Sequence, residues 1–464
     1  MIHKFYLNGY YIVLDVASGT LLSVDRMTYD ILDDYKLADK AAIVAKWRDR
    51  YDPVEIAEGV DEIAELEAGG MLYAKDDYDP MVYQNYDLIK SMCLNVAHDC
   101  NLRCTYCFAS QGDFNGDRDL MPLEVGKKAF DFLVTQSKNR HNLEVDFFGG
   151  EPLMNFQVVK NLVAYGRSLE KEYNKRFNFT MTTNAVLLND ENMRWIDDNM
   201  NNVVLSLDGR KAVNDHMRKT VSGGGSFDVI IENIKKMAAL REASGKEYYV
   251  RGTYTKNNLD FGKDVEFLAA QGFRSVSVEP VVTDETKNYA ILEGDVNRIK
   301  SEYDRLALTY LDKAARGLDY LFYHFMVNLD AGPCVYKRIS GCGAGRDYVA
   351  VTPQGTIYPC HQFVGNDDFI MGNVDEGITN PQIKETFMGA NLLKKEACRE
   401  CWCRYFCGGG CHANAWNFNH TVMEPYDVSC EIEKRRVENA LMIKIVQDER
   451  SAAEAGMPAD SAKA

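Results

Sequence analysis

The spacing of hydrophobic and polar residues predicts a small first unit of three strands followed by three helices. Short apolar runs are separated by the turn dipeptides Asn8-Gly9 and Ser18-Gly19, and stretches of helical periodicity follow them. The predicted strands are 2–7, 10–15 and 20–24, and the predicted helices are 27–36, 39–51 and 53–67. This order is typical of a winged-helix-like domain, which we assign to residues 1–78, followed by a polar linker at 79–90.

A second pattern, in which strands alternate with amphipathic helices, begins at residue 91. The predicted strands are 92–97, 143–148, 179–183, 202–207, 248–255 and 275–282, and helices such as 123–139, 156–176 and 227–242 lie between them. Six strands alternating with helices predict an α/β fold with a parallel sheet, curled into a partial barrel over residues 91–295. In such folds the functional groups lie at the carboxyl ends of the strands.

The last third of the chain has fewer long periodic segments. Residues 296–332 are predicted to be bridging helices, and residues 333–432 form a cysteine-rich domain whose shape depends on bound metal more than on a large core. Residues 433–464 are assigned to a C-terminal helix and a disordered tail, with the helical pattern itself running over 431–446.

Composition and charge narrow the class of protein. Hydrophobic residues are 46% of the chain, which excludes wholesale disorder, and 69 acidic against 53 basic residues give a net charge of −16. That balance disfavours nucleic-acid binding. No apolar run is long enough to span a membrane, and the start MIHKFYLNGYYIVLD lacks the features of a secretion signal. We therefore expect a cytoplasmic protein with reduced thiols.

The thirteen cysteines are unevenly distributed. Three fall within 100–107, nine within 334–430, and none between 108 and 333. Clustered thiols in a reducing compartment indicate metal or iron–sulfur ligands.

The first group, Cys100, Cys104 and Cys107, has the spacing C-x3-C-x2-C and follows the first barrel strand. Three thiolates can bind three irons of a 4Fe–4S cube and leave the fourth iron open, whereas a structural zinc site needs four ligands. Zinc or chance is the alternative interpretation. The motif resembles that of the radical S-adenosylmethionine (SAM) enzymes, and Tyr106 would be the aromatic residue before their last cysteine.

That resemblance extends along the barrel. It implies that Gly149-Gly150-Glu151 meets the amino group of SAM, that the ends of the third and fourth strands contact the cofactor, and that Arg218 pairs with the cofactor carboxylate. The implied cofactor-binding residues are Tyr106, Gly149, Gly150, Glu151, Thr183, Asn184, Ser206, Asp208 and Arg218. A turn, or a solvated charge in the case of Arg218, is the alternative explanation for several of them.

The second group resembles the seven-cysteine SPASM pattern, with Cys334 as an eighth thiol. The resemblance implies two auxiliary 4Fe–4S clusters with interleaved ligands. The first set would be Cys334, Cys342, Cys360 and Cys411, and the second Cys398, Cys401, Cys407 and Cys430. Four-cysteine zinc knots are the alternative. If Cys334 does not reach the first auxiliary cluster, one iron of that cluster has no cysteine ligand. Cys93 is predicted to be a core residue, and Cys403 is left as a spare thiol.

The sequence, including Ile2-His3-Lys4-Phe5, Val13-Leu14-Asp15 and Tyr29-Asp30-Ile31-Leu32, is similar to the maturases of the six-cysteine (SCIFF) peptide over nearly the whole chain except the tail. Those enzymes join a cysteine sulfur to a carbon as a thioether. That likeness implies cleavage of SAM to a 5′-deoxyadenosyl radical, an electron donor such as flavodoxin or ferredoxin, and a cysteine-rich precursor peptide whose leader adds as a strand to the first unit. The alternatives are another peptide or protein modification (a carbon–carbon link, epimerisation, or formylglycine formation in a sulfatase), a non-catalytic iron–sulfur carrier or zinc scaffold, and RNA modification.

Overall fold

The computed structural model describes residues 1–76, 88–327, 329 and 339–454. The linker predicted at 79–90 therefore lies mostly outside the described residues, as do Cys334 and the predicted tail from residue 455 onward. Among the described residues, no helix is long and apolar enough to cross a membrane.

The first unit contains the predicted three strands and three helices. An antiparallel sheet of order β1-β2-β3 carries the helices on one side, and its elements are β1 (Ile2–Leu7), β2 (Tyr10–Asp15), β3 (Leu21–Val24), α1 (Arg26–Ile31), α2 (Lys40–Trp47) and α3 (Pro53–Ala68). Asp25, Asp39 and Asp52 each cap a helix by accepting a backbone N–H with the side chain. The first helix ends at Ile31, earlier than predicted, and turns follow it.

The middle of the chain forms the predicted parallel sheet. Six parallel strands lie in the order β11-β10-β8-β7-β6-β4, and β12 extends the sheet beyond β11. These strands are β4 (Ser91–Ala97), β6 (Asn142–Gly149), β7 (Arg176–Thr183), β8 (Asn202–Ser206), β10 (Glu247–Tyr254), β11 (Ser275–Pro280) and β12 (Leu321–Phe322). The predicted fold class is confirmed.

The helices cover the outer face of this sheet. They are α4 (Leu123–Gln136), α5 (Phe156–Tyr173), α6 (Asp190–Asn199), α7 (Lys211–Met217), α8 (Phe227–Ala243), α9 (Gly262–Ala270) and α10 (Val296–Ala315). Alternate residues of β6, namely Leu143, Val145 and Phe147, are fully buried in the core beneath them. Since side chains alternate across a strand, the residues between them face the barrel interior.

A separate two-stranded ribbon crosses the carboxyl ends of the barrel strands. It consists of β5 (Leu102–Cys104) and β9 (Arg218–Thr220), paired antiparallel. The ribbon joins the segment of the first cysteine group to the segment after α7.

The cysteine-rich region is more regular than the sequence predicted. Its strands β13 (Tyr348–Val351), β14 (Thr356–Tyr358), β15 (Gly372–Asn373) and β16 (Gly377–Ile378) continue the barrel sheet to eleven strands, because β13 pairs in parallel with β4. The short helices α11 (Pro381–Gly389), α12 (Glu396–Arg399), α13 (Arg404–Cys407) and α14 (His412–Asn419) follow. Strand pairing as well as metal ligands can therefore shape this region.

Two helical predictions need revision. The bridge predicted over 296–332 is one helix, α10, followed by β12 and a short 3-10 turn at Tyr323–Phe325, and residues 328 and 330–338 lie outside the described residues. The last helix, α15 (Asp427–Glu454), starts earlier than the predicted 431 or 433 and includes Cys430.

The first unit contacts the cysteine-rich region directly. The His3 ring stacks on Trp402 with centroids 3.7 Å apart, and His3 Nε2 lies 3.1 Å from Glu438 Oε1 of α15. Arg404 pairs with Asp76, which also accepts a 2.6 Å hydrogen bond from the Tyr405 hydroxyl. Trp402 follows Cys401, so the first unit rests against a segment that carries predicted cluster ligands.

Arg241 holds together the amino ends of the barrel strands, opposite the cysteine groups. Its fully buried guanidinium donates to the carbonyls of Met200, Asn201 and Glu247 at 2.7 to 3.0 Å and pairs with Asp197. We predict that Arg241→Met lowers the free energy of unfolding by about 3 kcal/mol, because it leaves buried acceptors without donors. Urea unfolding measures this change.

The matched control is Arg274→Met, since the Arg274 side chain is 77% exposed and forms only a 3.5 Å ion pair with Glu242. That change should cost less than about 1 kcal/mol. Equal losses in the two variants would contradict a structural role for the buried guanidinium.

Candidate functional site

The barrel encloses a cavity of about 500 Å³ at the carboxyl ends of its strands. Its wall contains all three cysteines of the first group and most of the residues that the resemblance assigned to SAM. Predicted site residues on this wall are Cys100, Cys104, Cys107, Tyr106, Gly149, Gly150, Glu151, Thr183, Asn184, Ser206 and Arg218. The structure therefore brings together residues that are far apart in the sequence.

The ribbon orients the first cysteine group. Cys104 is the register partner of Arg218, and Thr105 N donates to Met217 O at 2.8 Å. The Leu102 amide points at Cys100 Sγ, 3.4 Å away. Arg218 is thereby fixed beside the thiols as a buried positive charge.

The donor set of this group fits an iron–sulfur cluster. Burial raises the pKa of Cys100 to about 12 and that of Cys104 to about 11, where the charge of Arg218 opposes the rise. Without metal these thiols stay protonated, and metal binding must displace the protons. Two buried donors nearby, Arg218 Nε and Asn101 Nδ2, have no hydrogen-bond partner in the structure, as expected beside a site for an anionic group.

The two glycines that end β6 are required by the backbone of the cysteine segment. A Cβ on Gly149 would lie 2.2 Å from Ala97 O, and one on Gly150 would lie 2.1 Å from Asp99 O. Gly150 N and Glu151 N donate to the same two carbonyls at 2.8 and 2.9 Å. The absence of side chains at these two positions thus allows a close approach to the protein's own backbone, directly before Cys100.

Glu151 is fully buried and joins the ends of β6 and β7. Its carboxylate accepts hydrogen bonds from Leu153 N at 3.1 Å, Thr183 Oγ1 at 2.8 Å and Asn184 N at 2.8 Å. Burial raises its pKa to about 7 despite these donors. Asn184 in turn directs its amide at Cys100 Sγ, 3.6 Å away. A cationic group in the cavity would stabilise this carboxylate as an anion.

Tyr106 connects two charged residues through its hydroxyl. It donates to Asp208 at 2.8 and 2.9 Å and accepts from Arg218 Nη1 at 2.9 Å. Asp208 also accepts from Thr253 N at 3.1 Å, and burial raises its pKa to about 6. Asp208 lies behind Tyr106, outside the cavity lining, so it positions Tyr106 where the resemblance had implied a direct cofactor contact.

The cavity wall also contains polar residues that the sequence analysis did not single out. Asp146, Thr180, Thr182 and Asn202 occupy inward positions of β6, β7 and β8. The sequence does contain a pattern that predicts their inward position, because they are polar residues that alternate with large apolar residues along the strands. Burial raises the pKa of Asp146 to about 6.

Arg251 and Glu279, on neighbouring strands, form an ion pair on the same wall. The pairing with Arg251 overcomes burial and lowers the pKa of Glu279 to about 2. A hydrogen-bonded chain continues from Glu279 through Ser277 and His324 to Arg436 of the last helix. Since Arg436 can only donate, His324 Nδ1 accepts and its Nε2 carries the proton toward Ser277.

Cys93 was predicted to be a core residue, and it is buried, but its side chain also lines the cavity. It shares this part of the wall with Tyr348 and His361, whose Oη and Nδ1 atoms lie 3.0 Å apart. The His361 ring contacts Phe108 at a centroid distance of 5.2 Å. Phe108 follows Cys107 and His361 follows Cys360, so an aromatic contact connects the two cysteine regions.

Electrostatic neighbours divide the described cysteines of the second region into two sets. The Cys360 thiol is influenced by Cys342 and Cys411, and the Cys430 thiol by Cys398 and Cys401, while Cys407 is influenced by Cys430. These neighbours agree with the two predicted ligand groups, but Cys403 also lies beside Cys401 and Cys407, and Cys334 lies outside the described residues, so the ligand assignment stays a prediction.

The surroundings of these thiols fit bound clusters. Cys342 and Cys411 have solvent-accessible surface, but protein atoms surround them closely enough to raise the pKa of both thiols, as expected for residues in a recess. Cys403, the spare thiol, is buried in the hydrophobic core. Among the residues that the structure describes, no three His, Cys, Asp or Glu side chains are close enough together to hold a single metal ion.

Comparison with protein families assigns two domains to the chain. Residues 94–252 match the model of the radical SAM superfamily, and residues 342–402 match that of the SPASM iron–sulfur cluster-binding domain. The chain thus has a radical SAM domain and a C-terminal SPASM domain. These domains imply a SAM-binding 4Fe–4S cluster and auxiliary clusters.

Individual relatives are distant. The cysteine-type anaerobic sulfatase-maturating enzyme of Clostridium novyi is 25% identical over 339 residues, which cover 69% of this chain and 86% of that protein. The structure of native anSMEcpe with bound AdoMet aligns with a TM-score of 0.62 at 20% identity, covering 77% of this chain and 98% of the other. Streptococcus suis SuiB bound to precursor peptide SuiA aligns with a TM-score of 0.53 at 17% identity, covering 92% and 98%.

Gly150→Ala should disrupt the first cysteine group selectively. Its Cβ would clash with Asp99 O and displace the backbone that carries Cys100. We expect the loss of about four iron atoms per chain, the content of one cluster, with auxiliary iron retained. Iron analysis and electron paramagnetic resonance of the reconstituted protein measure this loss.

Gly294→Ala is the matched control, because a Cβ there meets no atom within 4 Å. It should leave the iron content unchanged. Full iron loading of the Gly150→Ala variant would show that the loop tolerates the displacement and would refute the tight-packing argument.

Proposed function

We propose that this protein is a radical SAM peptide maturase that installs thioether cross-links, from a cysteine sulfur to a carbon, in a ribosomally made cysteine-rich precursor peptide. The observation that carries the proposal is the combination of a cavity containing a three-cysteine group with a strand-edged first unit docked on the cysteine-rich region. The cavity supplies the radical chemistry, and the docked unit supplies a means of holding a peptide.

Eight residues of the cavity wall would have roles in this reaction. Cys100, Cys104 and Cys107 would hold the SAM-binding cluster, which together with SAM supplies a 5′-deoxyadenosyl radical when bound. Glu151 faces the cavity with a carboxylate that suits the SAM ammonium group, and Arg218 presents a buried cation to the SAM carboxylate. Thr183, Asn184 and Ser206 complete the wall around the cofactor.

Thioether formation removes one hydrogen atom from the acceptor carbon, one proton from the cysteine thiol and one electron. Two auxiliary 4Fe–4S clusters would accept that electron. The first would be held by Cys334, Cys342, Cys360 and Cys411, and the second by Cys398, Cys401, Cys407 and Cys430. An external donor such as flavodoxin or ferredoxin would supply the electron that starts each cycle.

Residues 1–78 would bind the leader of the precursor. β1 and β3 are the edge strands of the first sheet, and an extended peptide can pair with a strand edge through main-chain hydrogen bonds. SuiB, which aligns over 92% of this chain, was solved with a precursor peptide bound. That likeness supports a peptide substrate without identifying the bond formed.

The direct test is incubation of the reconstituted enzyme with a reductant, SAM and a cysteine-rich precursor, followed by mass spectrometry. We expect loss of two hydrogen atoms per bond and resistance of the product cysteines to alkylation. The Cys100→Ala/Cys104→Ala/Cys107→Ala variant should form no 5′-deoxyadenosine yet keep its auxiliary iron. A variant that still cleaves SAM would refute the assignment of the first group.

Deleting residues 1–78 should separate recognition from chemistry. Because a tethered leader raises the effective concentration of the core peptide, we expect cross-linking to fall roughly a hundredfold while SAM cleavage persists. Removing the leader from the peptide should have the same effect on the intact enzyme.

The deletion also uncovers Trp402 and Arg404, which contact the first unit. Iron content of the truncated enzyme must therefore equal that of the full chain before rates are compared. A fully loaded truncated enzyme that cross-links the precursor at the original rate would contradict leader binding.

A second candidate is oxidation of a cysteine or serine to formylglycine in a sulfatase. It is favoured by the relative from Clostridium novyi, a sulfatase-maturating enzyme. A sulfatase-derived peptide tested in the same assay distinguishes the two, because formylglycine appears as an aldehyde reactive toward hydrazines. A carbon–carbon link or an epimerised residue, the remaining alternatives, would leave the cysteines open to alkylation.

A further inference from the structure

Lys395 is a buried lysine placed between the two auxiliary cysteine sets. Its residue surface is only 1% exposed, and it precedes α12, where its carbonyl accepts from Cys398 N at 3.0 Å. Burial of an ammonium group is costly unless an opposite charge lies nearby. The position therefore requires an explanation.

The side chain is anchored between ligands of different sets. Lys395 Nζ donates a 2.8 Å hydrogen bond to the carbonyl of Gly409. Gly409 lies two residues after Cys407, assigned to the second set, and two residues before Cys411, assigned to the first. One hydrogen bond thus holds the ammonium at the junction of both sets.

The charges that act on this ammonium belong to cysteines. Cys398, Cys407, Cys411 and Cys430 are the groups that most strongly oppose the lowering of its pKa by burial. Lys395 acts in return on thiols of both sets, including Cys342. Within the described part of the chain, Lys395 has no carboxylate ion-pair partner.

A thiolate-ligated 4Fe–4S cluster is anionic and becomes more so on reduction. A fixed positive charge nearby therefore stabilises the reduced form more than the oxidised form, and this raises the reduction potential. Beside the first cysteine group the buried cation is Arg218, which also has Tyr106 and Asp208 as neighbours.

We propose that Lys395 is the counter-charge shared by the two auxiliary clusters and that it raises the reduction potentials of both. It is a positioning residue, since it does not line the barrel cavity and acts through the clusters. The inference rests on the presence of the auxiliary clusters and not on which bond the enzyme forms. It explains why a lysine is buried here without a carboxylate.

The test is a potentiometric titration of the holoenzyme followed by electron paramagnetic resonance, using Lys395→Met and Lys395→Gln. Met keeps the shape of the side chain, and Gln keeps a donor for Gly409 O. Each should disfavour reduction of the auxiliary clusters at least tenfold, which is about 59 mV for one electron, and leave the SAM-binding cluster unchanged. Lys395→Arg should keep the original potentials.

Lys394→Met is the matched control, because Lys394 is the preceding residue and is exposed. Unchanged auxiliary potentials in loaded Met or Gln variants would overturn the proposal. If the neutral variants bind no auxiliary iron, loading of the Arg variant supports the requirement for charge, whereas its failure shows a merely structural role and overturns it. Lack of auxiliary iron in the unsubstituted enzyme would instead refute the cluster assignment.

Discussion

The parallel pairing of β4 with both β6 and β13 is the constraint on which the site depends. β4 leads directly into Cys100, β6 ends in the glycines that pack on the cysteine segment, and β13 leads through β14 to Cys360. One buried strand therefore fixes the radical chamber and an auxiliary cysteine set relative to each other. The contact between Phe108 and His361 closes the space between them, so the two metal regions share one rigid sheet and are not separate modules on a linker.

Much of this arrangement could be predicted from the sequence because its signals are local. Leu143, Val145 and Phe147 alternate with polar residues, which identifies a strand and its buried face, and the C-x3-C-x2-C spacing follows such a strand directly. The pairing of β13 with β4 could not be predicted, because a four-residue strand has no usable periodicity and its partner is distant in the chain. The same holds for the hydroxyl of Tyr106 between Asp208 and Arg218, since hydrogen-bond partners depend on how the ribbon folds back over the sheet.

The residues of the Gly149-Gly150-Glu151 motif stabilise the fold in addition to their proposed role in cofactor binding, and the sequence alone does not distinguish these two roles. Gly150 is required by the carbonyl of Asp99, whatever the cofactor demands, and Glu151 joins two strand ends before it meets any ligand. This dual use lowers the entropic cost of binding, because Thr183 and Asn184 already hold the carboxylate in place and it would lose little conformational freedom on binding a cation. The site is therefore preorganised by the protein's own contacts, at the place where we propose that the cofactor binds.

The cationic side chains of the barrel and of the cysteine-rich region differ in the groups that balance their charge. Buried Arg241 and partly buried Arg436 each face a carboxylate, and buried Arg218 reaches Asp208 through Tyr106. These cations therefore have carboxylates nearby without any bound metal. Lys395 differs from these arginines, because the described residues that act on its charge are cysteines and not carboxylates. Its charge is compensated only when those thiols are deprotonated, which is the state that metal binding imposes. The arginines named here thus have opposing charges without bound metal, whereas the charge of Lys395 is balanced only when the clusters are in place.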